Sequence, residues 1–219
     1  MTRVRVDLMI SLDGYATTTD QTPEEPFGRD WGRLTEHYAA TRTFRERVFH
    51  DTSGAGTTGV DEAFAARYFE GIGAEIMGAG MFGLHEHPDD ADWRGWWGEE
   101  PPFAYPVYVL THAAERADLE FPNGTSFRFL DATPQDALAL ASEVAGGGDV
   151  RIGGGPTTVR SFLRAGLVDE LHVAITPILL GRGIRLWDDL RGLETDMRVE
   201  TVAAESGVVH VTFSRGGAR

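Results

Sequence analysis

The sequence contains no cysteine. Disulfides, thiolate nucleophiles and cysteine-ligated metals or clusters are therefore excluded. No apolar run approaches the ~18–20 residues that a membrane-spanning helix needs. The first fourteen residues alternate apolar and polar and include an acid, a pattern too short and too polar for a secretory signal. Basic side chains are few: 20 Lys and Arg stand against 34 Asp and Glu, giving a formal net charge of −14. Sequence-independent binding to nucleic acid or to an anionic membrane depends on cationic neutralisation of phosphates, so neither is expected. A soluble, cytoplasmic protein is the expectation, and a local pocket for an anionic cofactor stays compatible with this charge.

What is present is ordinary for a globular protein, with 42% hydrophobic and 25% charged residues. The 27 glycines suggest many tight turns and close backbone approaches. A chain of 219 residues could make one large domain or two small ones. No repeat, low-complexity run or linker divides it, so a single domain over 1–219 is expected.

The most informative stretch runs from Asp149 to Gly183. A short apolar strand, Val150 to Ile152, enters three glycines, Gly153, Gly154 and Gly155. Pro156 then opens a helix through Thr157 and Thr158, with apolar positions Val159, Phe162 and Leu163 at helical spacing. Gly166 stops it, and a second apolar strand covers Leu171 to Ile175. A strand entering a helix through glycines presents unpaired backbone N–H groups with no side chains in the way, so a phosphate can approach closely. This reads as a nucleotide-phosphate turn; the alternative is that the glycines only allow close helix–strand packing.

The rest of the chain supplies alternating strands and helices. A strand from Val4 to Ile10 breaks at Ser11-Leu12-Asp13-Gly14, and residues 16–34 read as a long loop. Helices are expected from about Thr35 to Phe49 and from Asp61 to Glu70, with a flexible loop over 51–60. Strands are expected at Ala74 to Met77, Pro106 to Leu110 and Ser126 to Leu130. A helix capped by Thr133-Pro134-Gln135-Asp136 runs to Ala145, and a hairpin spans Met197 to Ser214. The pattern predicts an α/β fold, a mostly parallel central sheet with helices on both faces and a C-terminal antiparallel hairpin.

Other motifs carry less. Residues 78–83 match G-x-G-x-x-G after a strand, but they lie a third of the way along the chain and run into His85-Glu86-His87-Pro88, not a helix. The strand that follows the Gly153 cluster ends at Thr176-Pro177 with no ribose-binding acid. His85 and His87 beside Asp89 and Asp90 lack a further ligand cluster, so no metal is expected. His172, on an apolar strand, reads as a satisfied sheet histidine. No G-x-S-x-G turn supports a hydrolase. Trp93, Trp96 and Trp97 either line a flat-ring pocket or anchor the long 84–105 segment. Asp13, where the first strand ends, faces the edge on which open α/β sheets bind ligands; it is either functional or an ordinary turn aspartate.

The order of these pieces resembles the dihydrofolate-reductase-like superfamily, and within it the reductase domain of riboflavin biosynthesis. The resemblance rests on Ser11 to Gly14, Met77-Gly78, Val107 to Thr111, Ile152 to Gly155, Gly166 to Leu171 and Pro177 to Gly183. It covers nearly the whole chain. Gly95 to Gly98 through Pro101-Pro102 looks like a subgroup of stand-alone members, and without cysteine no zinc-deaminase signature is possible.

The resemblance implies a dihydrofolate-reductase-like three-layer sandwich acting as an NADPH-dependent reductase of a small, heterocyclic substrate. The family reaction reduces the ribosyl chain of an aminopyrimidine phosphate. By the same resemblance Ile152 to Gly155 and Pro156 to Thr158 hold the pyrophosphate. Gly78, Ala79, Gly80, Thr111 and His112 lie along the adenosine half. Asp13 borders the nicotinamide and the substrate and is the candidate catalytic residue, as a proton source directly or through a bound water. Family members commonly carry an arginine where this chain has Ala79, so NADH is possible beside NADPH, with Thr111, His112 or Arg116 as other partners for a 2′-phosphate. A true dihydrofolate reductase, with Glu36 or Glu46 as its helical carboxylate, and a nucleotide-binding protein without turnover are the alternatives. Relatives of this kind are often dimers, and a homodimer is expected.

Overall fold

The computed structural model describes residues 2–18, 20–22, 28–112 and 115–216. Among them, nine strands form one sheet in the order β10-β11-β8-β1-β7-β3-β4-β6-β5. In chain order they are β1 (Val4–Ser11), β3 (Ile72–Gly78), β4 (Pro106–Leu110), β5 (Leu119–Glu120), β6 (Ser126–Leu130), β7 (Asp149–Gly154), β8 (Glu170–Thr176), β10 (Met197–Ala203) and β11 (Val209–Arg215). A separate two-stranded ribbon pairs β2 (Tyr15–Thr17) with β9 (Ile184–Arg185). The six helices are α1 (Trp31–Ala39), α2 (Arg42–Phe49), α3 (Val60–Phe69), α4 (Ala79–Phe82), α5 (Pro134–Val144) and α6 (Pro156–Arg164). Strands β8, β1, β7, β3, β4 and β6 are parallel neighbours, and β10 and β11 are the expected antiparallel hairpin.

Local chemistry explains the helices. α6 starts at Pro156, buries Val159, Phe162 and Leu163, and stops at Gly166 with φ +66°. Gly166 N–H donates to Leu163 O and Leu167 N–H to Phe162 O, which closes the helix in a Schellman motif. Each of those three apolar side chains contributes about 1.5–3 kcal/mol by burial. The single helix expected from Thr35 to Phe49 is two helices. Thr41 Oγ1 donates to Tyr38 O at 2.6 Å and accepts from Phe44 N–H at 3.3 Å, so it ends α1 and caps α2. The G-x-G-x-x-G segment also differs from expectation: Ala79 to Phe82 form one helical turn, closed by Gly83 at φ +95°.

The two faces of the sheet differ in kind. Val4, Val6 and Ile10 of β1 join Ile76, Val150 and Ile152 under α5 and α6 in an apolar layer. The opposite face, under α1 and α3, combines a smaller apolar cluster of Tyr38, Ala65 and Ala174 with buried charge. Along one rung, Glu75, Arg151, Arg5 and Glu170 pair across four neighbouring strands. Arg151 and Glu75 are fully buried. Arg151 Nε donates to Glu75 Oε2 at 3.0 Å and its Nη1 to Tyr68 O at 2.7 Å, while the guanidinium lies 3.7 Å from the Tyr68 ring centre. Tyr105 donates to the same carboxylate at 3.2 Å. Every cation of the chain is arginine, with no lysine; the planar, weakly hydrated guanidinium suits a buried pair of this kind. Burial pushes the Glu75 carboxyl up, and Arg151 pulls against that shift.

The long 84–105 segment is anchored by its tryptophans. Trp93 Nε1 donates to Phe82 O at 2.9 Å, His87 stacks on Trp93 at 3.7 Å, and Trp97 stacks on Phe127 at 5.6 Å. Between the two roles open for Trp93, Trp96 and Trp97, the packing supports the anchor.

Removing Glu75 would leave a buried, unpaired guanidinium. Glu75→Ala is expected to cost about 3–5 kcal/mol of stability, read as a lower urea midpoint. A loss below about 1 kcal/mol would show that the rung does not hold the sheet.

Candidate active site

Parallel pairing brings the C-terminal ends of β1, β7, β3 and β4 to one edge of the sheet, in that spatial order. The β1 end carries Ser11 to Gly14, the β7 end Gly153 to Gly155, the β3 end Gly78 to Gly80, and the β4 end Thr111 and His112. Residues distant in sequence thus form a row across this edge. The span from β7 to β4 is two strand spacings, roughly 10 Å.

The glycines serve different purposes. A Cβ on Gly153 would sit 1.9 Å from Glu75 Oε1, and one on Gly78 would sit 2.3 Å from Thr158 Oγ1. These two are demanded by close packing. Gly154 has φ +135° and is joined to Gly155 by a cis peptide. Gly155 is different: at φ −71° its Cβ would meet nothing within 4 Å. The packing alternative therefore accounts for Gly153 and Gly78 and leaves Gly155 unexplained by any internal contact.

Gly155 is the N-cap of α6, with no side chain capping the helix. The N–H groups of the first turn have no acceptor within a helix, and Pro156 contributes none, so those of Thr157 and Thr158 remain for a ligand. Ile152 and Pro156 are buried, and Ile152 belongs to the apolar layer. They shape the turn from behind. Arg160, which sequence reasoning overlooked, stands beside it. Its guanidinium makes only long contacts, 3.4 Å to Asp188 Oδ2 and 3.4 Å to Thr157 Oγ1, and its buried Nε has no partner. The signal was the i, i+3 spacing from exposed Thr157, which puts both on one helix face. Open backbone, helix N-terminus and loosely held guanidinium together fit an anionic group such as a dinucleotide pyrophosphate.

Asp13 is placed at the mouth but fully engaged. Its Oδ1 accepts from Ser11 Oγ at 2.5 Å and from Leu180 N–H at 3.1 Å, and its Oδ2 accepts from Gly181 N–H at 2.7 Å. Desolvation is the largest single influence and raises its pKa. The Ser11 hydroxyl and the Gly181 and Leu180 amides together outweigh it and bring the value down to about 2. Asp13 is thus an ionised brace that ties the 177–183 loop to the end of β1, where Leu12 N–H also donates to Ile178 O at 2.9 Å.

The stretch expected to lie along an adenosine half is sparsely charged. Ala79 opens α4, and the His85 ring covers Gly80, whose Cβ would lie 3.0 Å from His85 Nδ1. Arg116 is spent on the carbonyls of Asp90 and Trp93, at 2.6 and 3.0 Å, and His112 pairs with Asp131 at 3.1 Å. No metal-binding group of three or more ligands occurs among the described residues. A cavity of about 460 Å³ lies at the opposite end of the sheet, lined by Arg3, Arg5, Arg67, Glu70 and Asp149. Arg3 and Arg67 are already paired with Glu170, so that cavity offers little to a ligand.

Residues 2–211 match the RibD C-terminal domain. The chain belongs to that family. Among solved structures, a Shewanella sp. PV-4 protein named for riboflavin biosynthesis is 21% identical with a TM-score of 0.59, covering 99% of this chain and 100% of its own. The Thermotoga maritima diaminohydroxyphosphoribosylaminopyrimidine deaminase/5-amino-6-(5-phosphoribosylamino)uracil reductase is 14% identical with a TM-score of 0.51. That match covers 98% of this chain and 56% of that one. An Enterococcus faecalis dihydrofolate reductase complexed with NADP(H) is 11% identical with a TM-score of 0.51, covering 98% and 97% of the two chains. These likenesses establish a dihydrofolate-reductase-like fold. Bacillus subtilis (strain 168) YyaP, itself uncharacterised, is 34% identical over 71 residues, 32% of this chain and 38% of YyaP. No helix among the described residues is long and apolar enough to cross a membrane.

Asp13→Asn would replace an acceptor with a donor facing backbone N–H groups. Amide hydrogen exchange at Leu180 and Gly181 should accelerate by about tenfold or more, the equivalent of at least ~1.4 kcal/mol. In the wild type the brace contributes stability above the unfolded aspartate pKa of about 4 and loses it as pH falls through about 2. Unchanged protection in the variant would remove Asp13 from the loop's support.

Proposed function

We propose that this RibD C-terminal domain protein is a nicotinamide-nucleotide-dependent reductase of a small heterocyclic substrate. The observation that carries the reading is the glycine turn at 153–155. It is closed on its inner side by Glu75, open on its outer side at Gly155, and aimed at the start of α6 beside Arg160. Gly155, Thr157, Thr158 and Arg160 hold the pyrophosphate. Gly78, Ala79, Gly80, Thr111 and His112 flank the adenosine half, and Ile152, Gly153, Gly154 and Pro156 support the turn. Bound there, the nicotinamide supplies a hydride, and the protein's part is to hold it against the acceptor carbon and exclude water.

Asp13 acts in this reading as a positioning residue. An ionised carboxylate with three donors on it has no proton to give near neutral pH. The proton that accompanies the hydride comes from another group or from solvent. The dihydrofolate alternative needs a carboxylate on the inner face of the first helices. Glu36 and Glu46 are both exposed, and the buried face of α1 is formed by Leu34, Thr35, His37 and Tyr38. This favours a pyrimidine-type substrate, 5-amino-6-(5-phosphoribosylamino)uracil being the first to assay.

Two measurements test the proposal. Fluorescence titration with NADPH should show saturable binding, and Gly155→Val should weaken it by tenfold or more while circular dichroism and thermal midpoint stay close to wild type. Equal affinity in the folded variant would move the phosphate elsewhere. Oxidation of bound NADPH on adding the aminopyrimidine, and not dihydrofolate, would support the substrate class; binding with no oxidation by either would favour a non-catalytic protein.

Cofactor choice follows from Ala79. With Arg116 and His112 engaged elsewhere, NADPH and NADH should bind within about tenfold of one another. Ala79→Arg should raise the NADPH preference by roughly tenfold or more, since a charge-assisted pair contributes about 1.5–3 kcal/mol. A wild-type preference above about a hundredfold would mean that another group already reads the 2′-phosphate.

A further inference from the structure

On the charged face of the sheet, four titratable groups make one continuous hydrogen-bonded chain. Asp7 Oδ1 lies 3.1 Å from His172 Nδ1, His172 Nε2 lies 3.0 Å from His210 Nδ1, and His210 Nε2 lies 2.8 Å from Asp61 Oδ1. The four come from β1, β8, β11 and α3, and all are buried. Phe64 of α3 stacks on both imidazoles, at 4.3 and 4.1 Å.

Counting hydrogens shows what this chain must contain. Three contacts need three hydrogens. Two neutral imidazoles bring one N–H each, and ionised carboxylates bring none. With only two, one contact would set a lone pair against a lone pair. We infer that Asp7, His172, His210 and Asp61 form a binding site for one proton, held in the folded protein as an imidazolium between two carboxylates.

Placing the charge on His172 satisfies every contact. His172 then donates from Nδ1 to Asp7 and from Nε2 to His210 Nδ1, and neutral His210 donates from Nε2 to Asp61. The surroundings agree. Burial lowers the proton affinity of His210 despite its bond to Asp61. Burial raises Asp7, but the hydrogen bond and charge of His172, with Arg5 and Arg151, outweigh it, as expected for a carboxylate facing an imidazolium.

The other groups facing the chain leave this count unchanged. From α1, His37 lies 6.2 Å from His210 and is pushed down by burial to about 4, and the Tyr38 phenol is pushed up. From α3, Tyr68 is pushed up to about 12, mainly by burial. Arg5 lies 3.9 Å from Asp7 Oδ2 and also faces Glu170, at 3.9 Å, while Arg151 is held by Glu75. At its outer end Asp61 lines a cavity of about 390 Å³ with Thr57, Thr58, Glu205 and Ser206, which gives the proton a route to solvent.

The consequence is a latch between α3 and the sheet that works with one proton and no other number. Losing it opposes two lone pairs, and gaining a second opposes two N–H groups at the His172–His210 contact. In the unfolded chain the histidines lose their protons above about pH 6.5. The folded chain keeps one, so above about pH 6.5 the latch's contribution to stability falls as pH rises, by up to about tenfold in the folding equilibrium per pH unit. Below about pH 6.5 the unfolded histidines bind two protons against one, and the contribution falls as pH drops.

Long-range ¹H–¹⁵N correlation spectra of the folded wild type at about pH 7.5, above the free histidine range, test this directly. One imidazolium is expected, with both ring nitrogens of His172 protonated and His210 neutral; two neutral rings, or two imidazoliums, would overturn the inference. For His172→Asn, the folding equilibrium between about pH 7 and 8.5 should fall less steeply than in the wild type, by up to tenfold per pH unit. Equal slopes in a folded variant would also overturn it, and a variant that does not fold leaves the spectra of the wild type as the deciding measurement.

Discussion

The position of one carboxylate, Glu75, governs much of this structure. Its Oε2 accepts from Arg151 and Tyr105, and its Oε1 stands where a side chain on Gly153 would have to be. The buried ion pair and the glycine turn are therefore one arrangement. Any residue larger than glycine at 153 would push the carboxylate off Arg151, and a displaced carboxylate would leave a fully buried guanidinium unpaired. Desolvating two charges is costly, and here it is offset only while the pair keeps its geometry through Oε2, Oε1 being buried without a hydrogen-bond partner. That requirement fixes β3 against β7 and brings the two glycine turns side by side.

From this pair the polar face extends through Arg5 and Glu170 to the Asp7–His172–His210–Asp61 chain. An apolar face tolerates sliding among similar contacts, whereas hydrogen-bonded charges have one acceptable register. The division of labour across the sheet follows. The layer under α5 and α6 supplies the larger apolar cluster, and under α1 and α3 a smaller one is joined by charged groups that supply positional definition. The strands positioned in this way, β1, β7 and β3, are the ones whose ends carry Asp13, Gly155 and Gly78.

The mouth of the site is held by a different device. Asp13 binds the 177–183 loop through two backbone N–H groups, and the β2–β9 ribbon repeats the connection a few residues on. Gly183 is needed there because a Cβ would fall 2.0 Å from Thr17 O. The loop is thus stitched to the end of β1 at several points, and the carboxylate that sequence reasoning offered as a proton source works as one of those stitches.

The strand–glycine–helix unit at 149–164, the capped helix at 134–144 and the terminal hairpin were legible because each is specified by neighbours a few residues apart. Pro156 and Gly166 bound α6, Thr133 caps α5, and alternation marks the strands. The family motifs were legible in the same way, as short ordered segments. What only the tertiary structure decided depends on partners far apart in the chain. The role of each glycine rests on Glu75, Thr158 or open space facing it. The ionisation of Asp13 rests on the amides of Leu180 and Gly181. Arg160 acquires its place from the turn that it overlooks, and His172, correctly read as a satisfied sheet histidine, gains a second partner, His210, from another strand. Sequence determines which local conformations and charges are available; proton affinity and access are set by burial and by donors that only folding brings within hydrogen-bond range.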